Sequence, residues 1–322
     1  MLYVSTRNAV DIFTAHRAMY EDLTLDCGFF APFRLTKYSE EELRAFRCVT
    51  SGEAIANILN MFFGLHLTGW DIECVIGRNP FQFIPMNRRI LLAEIWHNPG
   101  ESWSYLMRSL YGLMIGKKNT QKSPCGWVQI AIEIALLFGI YSSLDSFSEN
   151  KLDVAVTACD LADTIAVLYA KDLGLPISTV VCTFVENGSV WDFLNKGTFS
   201  FSNLPKTGRS MQNNDVTQFL EYLIYRKFGC DEVIRFLSAL NRKISYTLRE
   251  DQLDVLNLEL SAAVVGLKRV EAIQSSFLIT NQYSIDSDTA VAYGGLQDYR
   301  ASSGVSKNTL ILVKNRMEPI KE

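Results

Sequence analysis

Between residues 154 and 184 the chain reads strand, helix, strand with almost nothing in between. Val154-Ala-Val-Thr157 is a short buried-strand run. Asp160–Leu173 carries apolar residues at helical spacing and is closed by Gly174, with Pro176 just behind it. Thr179–Phe184 is a second strand run. Two strands joined through a helix by such tight connections form a βαβ unit, so they lie parallel, with the helix packed on the sheet they share. The fold class read from this pattern is α/β, a parallel sheet flanked by helices. Ser39-Glu-Glu-Glu42 has capping-box spacing and opens a further helix. Helical patterns follow at Asp215–Phe228 and Asp231–Leu240, a long helix is expected around Leu253–Val270, and Thr309–Val313 reads as a last strand.

Composition narrows the partners. The chain has 322 residues, 48% hydrophobic and 20% charged, enough apolar material for one large domain or two smaller ones. With 31 Lys+Arg against 35 Asp+Glu and no long basic run, it has no electrostatic footprint for nucleic acid or an anionic membrane. Apolar stretches such as Ile130–Tyr141, interrupted by Glu133, read as too short to cross a bilayer, and the first residues do not read as a signal peptide. A cytoplasmic protein is therefore expected, with no nucleic-acid and no membrane partner. The seven cysteines include no CxxC pair and the three histidines lie far apart, so neither a disulfide framework nor a metal site is signalled.

Several segments, in order, resemble threonine synthase, a pyridoxal-phosphate enzyme of fold type II. Tyr3-Val-Ser-Thr-Arg7 resembles that family's start, and Leu25-Asp-Cys-Gly-Phe-Phe-Ala-Pro32 its Asp-Gly-Gly-Leu-Tyr-Val-Pro segment. Glu94-Ile-Trp-His-Asn-Pro99 is similar to the Glu-Leu-Phe-His-Gly-Pro run that leads to the catalytic lysine. Trp127 with Ile130-Ala-Ile-Glu-Ile134, Tyr169–Ile177, Glu186-Asn187, Trp191-Asp-Phe193 and Lys196-Gly197 match further segments, and Ile285–Gly294 is close to the Asp-Pro-His-Thr-Ala-Val-Ala motif. The resemblance implies a threonine synthase or tryptophan synthase β-like fold with one lobe largely deleted. Its division would be an N-terminal domain over 1–93 and an α/β core over 94–322, with the small-lobe insertion missing between about 115 and 124.

The departures fall on the positions that the resemblance assigns to the cofactor. The Schiff-base lysine aligns with Ser104, and a hydroxyl cannot form an imine with an aldehyde. The glycine-rich phosphate loop aligns with Cys159-Asp160-Leu161-Ala162, where Cβ atoms crowd the turn and Asp160 and Asp163 put negative charge at a helix N-terminus that would otherwise favour an anion. The hydroxyl facing the pyridine nitrogen aligns near Lys314. The expectation is that no cofactor is bound, pyridoxal phosphate being ancestral and lost.

His97, Cys159 and Asp160 remain as candidate acid–base or nucleophilic groups, with Glu186, Asn187 and Arg209 as candidate ligand contacts. Each also has a plainer reading: a turn histidine, a core thiol, a helix cap. Two functions follow. One is a non-catalytic protein that binds a partner polypeptide, a second copy of itself or a small metabolite. The other is a cofactor-independent enzyme that uses the vacated cleft on an amino acid or small acid. A weaker third is pyridoxal phosphate held noncovalently with a lysine from another chain.

Overall fold

In the computed structural model, described for residues 1–87, 89–95, 102–117, 120–144, 151–186, 188–200 and 213–315, a six-stranded sheet runs through the core. Its order is β10 (Leu260–Val264), β7 (Ile177–Phe184), β6 (Leu152–Thr157), β11 (Thr309–Val313), β5 (Ile90–Glu94) and β4 (Gln82–Asn87). The first five are mutually parallel and β4 runs antiparallel to β5 at the edge. The βαβ unit read from the sequence is present as β6, α7 (Leu161–Asp172) and β7, and β6 and β7 are paired neighbours.

The two faces of the sheet are set by the alternation of side chains along each strand. In β11, Leu310 joins the larger apolar cluster with α6 (Gly126–Ser143) and α7, while Ile311 and Val313 join the smaller one with α12 (Leu267–Asn281) and α13 (Ser287–Ser303). In β5, Leu91 and Ala93 belong to the first face and Ile90 and Leu92 to the second. This alternation decides where Lys314 and Glu94 go.

The capping box at Ser39 forms as expected and starts α2 (Glu40–Phe46). The helix expected around Leu253–Val270 does not form. That stretch divides into α11 (Glu250–Asn257), strand β10 and the start of α12, because Leu260–Val264 completes the ladder of β7. An apolar run of this length fits helix or strand by pattern alone, and the free edge of β7 settles it. The division at residue 93 would fall inside β5, and β4 and β5 belong to the large sheet. The N-terminal residues make a separate three-stranded sheet, β2 (Phe13–Thr14), β1 (Leu2–Ser5), β3 (Phe30–Pro32), whose Tyr3 packs against Phe63 and Trp127 of the main core.

The apolar stretch containing Glu133 extends further than its sequence suggests. The 18-residue α6 is by length and composition able to cross a membrane, yet Ile130–Tyr141 are buried inside the protein. Helix α13 lies against the sheet so closely that its glycines are required. A Cβ at Gly295 would stand 1.9 Å from the Thr183 Oγ1 and 2.6 Å from its Cγ2. Gly295→Ala is therefore expected to lower the urea midpoint, by about 1–3 kcal/mol as overpacking does. An unchanged midpoint would mean that α13 has room to spare over β7.

Candidate functional site

The carboxyl ends of β6 and β11 open a crevice at the centre of the sheet, between the branch leading through α7 to β7 and the branch leading to β5. Open α/β sheets bind their ligands outside such strand ends. What fills this one follows from the alternation above. Leu310 and Leu312 face α6 and α7, so Lys314, next in phase, projects the same way. Its Nζ lies 3.1 Å from Asp160 Oδ2 and 2.6 Å from Asp163 Oδ1, and 4.3 Å from the ring centroid of Trp103 at the start of α5 (Trp103–Met114). Glu94 ends β5 on the opposite face and accepts a hydrogen bond from Tyr283 Oη.

Asp160 is the N-cap of α7 and accepts from the Ala162 N–H at 3.1 Å. Asp163, one turn on, is buried and faces α6. There Glu133 is buried as well, its Oε1 accepting from Gln129 Nε2 at 3.2 Å and its Oε2 having no hydrogen-bond partner. Glu133, Asp160 and Asp163 each offer a carboxylate oxygen within 4.8 Å of the other two. One ammonium thus serves three carboxylates in a space largely closed to water.

The electrostatics follow. Burial raises the pKa of Glu133 well above the carboxylate range, and the charges of Asp163 and Asp160 add to it against the pull of Lys314. Burial pushes Asp163 up to about 7, with Asp160 adding to the shift and Lys314 opposing it. Burial disfavours the charge on Lys314, but Asp160, Asp163 and Glu133 outweigh that and hold its pKa above the ordinary lysine value. Lys314 is a fixed cation here.

Beside the cluster lies a pocket of about 80 Å³, lined among others by Gln129, Cys159, Asp160, Gln218 and Tyr222. Ligand sites for molecules of drug size run from roughly 300 Å³. This one has room for a small group. Cys159 shows surface to solvent, but desolvation of its sulfur, with Asp288 and Asp160 nearby, pushes the thiol up to about 11. It is a protonated thiol at neutral pH and a poor nucleophile in this state.

Of the residues singled out by sequence, Cys159, Asp160, Leu161 and Ala162 share the wall of this pocket, and Lys314 joins Asp160 beside it. Ser104 is exposed in the first turn of α5. Glu186 is exposed just past β7. His97, Asn187 and Arg209 lie outside the described residues. Sequence reasoning passed over Glu133 as a mere interruption of an apolar run and did not connect it with Asp163. A carboxylate inside an otherwise apolar helix was the available signal, since such a residue is seldom buried without a partner.

No family model matches the chain. Among curated proteins it is similar to the threonine synthase of Buchnera aphidicola subsp. Acyrthosiphon pisum, 26% identical over 247 residues, which are 69% of this chain and 54% of that one. The chain thus spans about half the length of that relative. Solved threonine synthases share the fold: that of Brucella melitensis, described as bound to pyridoxal phosphate (TM-score 0.82, 16% identical, 98% of this chain and 89% of that one), that of yeast (0.76, 13%, 97% and 87%) and that of Escherichia coli (0.71, 16%, 98% and 88%). The resemblance to threonine synthase and the α/β fold read from the sequence are both borne out. The expectation of no cofactor is corrected by the Brucella melitensis structure, because the architecture this chain shares is seen there with pyridoxal phosphate in place.

The proton on Asp163 makes the cluster testable by stability. Folded, Asp163 keeps its proton to about pH 7, whereas its ordinary value is 3.8. The folded state binds more protons in that window, so this group's contribution is complete below the unfolded value and drains away as pH rises to 7. Relative to the natural chain, Asp163→Asn is expected to gain about 2 kcal/mol between pH 5 and pH 7. Parallel stability curves over that range would show that Asp163 is not the titrating group.

Proposed function

We propose that this threonine-synthase-like chain acts by binding a small metabolite at the carboxyl edge of its sheet and does not itself make threonine. The observation that carries this reading is the state of the two positions where an amine matters. Ser104, exposed on α5, has a hydroxyl where the resemblance asks for the Schiff-base lysine. The lysine that does reach the crevice, Lys314, is tied to two carboxylates and held protonated, so it has no free lone pair to attack a carbonyl.

Pyridoxal phosphate, which the Brucella melitensis enzyme carries, has to be weighed against the residues that line this chain's crevice. The N-terminus of α7 is a natural place for a phosphate. In this chain Asp160 already caps it with a carboxylate, and Asp163 follows one turn later. The residue at 104 and the cap at 160 differ from what the resemblance prescribes for that group, and no step is built on it. What the pocket offers instead is a carboxylate, Asp160, flanked by the amides of Gln129 and Gln218, a set that suits an amino group with a hydrogen-bonding neighbour. The competing enzyme reading gains nothing from Cys159, whose thiol is held protonated.

Two measurements test the proposal. The chain is expected not to rescue a threonine auxotroph that lacks threonine synthase. Rescue would overturn the non-catalytic reading. Thermal shifts against a panel of small amino acids and amines are expected to single out at least one ligand, with the shift lost in Asp160→Asn. A panel without any shift would sink the metabolite.

A further inference from the structure

Beyond that reading, though sharing Asp160 with it, the buried cluster has a charge balance that its own residues do not close. Among the described residues, Glu133, Asp160 and Asp163 face one cation, Lys314, so the fully ionised cluster carries two uncompensated negative charges. Asp160 and Asp163 each reach Lys314, but Glu133, with only 4% of its surface exposed, has its Oε2 without a hydrogen-bond partner among the described residues. A buried carboxylate oxygen left unsatisfied is costly and calls for an occupant.

We propose that Glu133, Asp160 and Asp163 form a binding site for a hard divalent cation of calcium or manganese size, which Lys314 gives up when the ion enters. The donor set is all oxygen, the choice of hard cations and unsuited to zinc or copper. The three oxygens lie within 4.8 Å of one another, and an ion that binds oxygen at roughly 2.3–2.6 Å can span two donors that far apart. The elements supply rigidity: Glu133 comes from the middle of the buried α6, and Asp160 and Asp163 from the cap and first turn of α7.

Lys314 is what makes the site exchangeable. It follows β11 and its side chain is long, so the ammonium can swing away from the carboxylates. Asp160 also borders the open pocket with Gln129, which gives the ion a way in. A divalent ion cancels the excess of two negative charges when Lys314 stays near, and leaves one negative charge uncancelled when Lys314 turns outward to solvent.

The test uses the full chain, stripped with a chelator and titrated with calcium and with manganese at pH 8 by calorimetry, the manganese series repeated by electron paramagnetic resonance. One ion per chain is expected. Glu133→Gln should weaken binding at least tenfold, and Lys314→Met, which removes the competing cation, should strengthen it by a similar factor. Circular dichroism of both variants establishes that they fold, and the gain in Lys314→Met cannot arise from misfolding. Absence of binding at millimolar ion in both the natural chain and Lys314→Met would overturn the proposal. So would equal affinity in the natural chain and a folded Glu133→Gln, since the ion would then be held elsewhere.

Discussion

A single ammonium, that of Lys314, allows three acidic side chains from two helices to meet at the end of a buried sheet. Placing charge in a dry interior costs several kcal/mol per ion unless it is paired and hydrogen-bonded. Lys314 pairs with Asp160 and Asp163 and partly offsets Glu133. The remaining imbalance is met by protons, which is why Asp163 titrates near neutrality. The helices α6 and α7, the strand β11 and the first turn of α5 all converge on this group, and each contributes at least one side chain to it.

Around Arg226 the same rule is obeyed more completely. Arg226, buried in α9 (Asn213–Phe228), donates to both oxygens of Asp172 and to Glu259, and its guanidinium also reaches the Leu168 carbonyl. Lys227 adds a second cation to Glu259. Every charge there has an opposite within hydrogen-bond reach, so the network joins α7, α9 and the residue before β10 without leaving a group to be satisfied from outside.

Much of the fold was legible because it rests on local signals. The βαβ unit needed only two short apolar runs around a helical pattern, and the Ser39 capping box only a spacing of three residues. The run at Leu253–Val270 was not legible, because its strand exists by virtue of the edge of β7, which no local pattern announces. In the candidate site, Asp160 could be read as a helix cap from its position alone, as it is. The role of Lys314 could not: its position suggested a misplaced pyridine contact, and only the phase of β11 turns it toward α6 and α7.

By itself the sequence determined the α/β class, the βαβ unit and several further elements, the likeness to threonine synthase, and a hydroxyl at position 104, since each of these depends on residues near one another in the chain or on residue identity. Only the tertiary structure decided that Glu133, Asp160, Asp163 and Lys314 share one site. They lie as much as 181 positions apart, from 133 to 314, and come together through the pairing of the last strand between β5 and β6. Charge interactions depend on distance in space and on exclusion of water, and both are properties of the packed sheet and helices rather than of any segment alone.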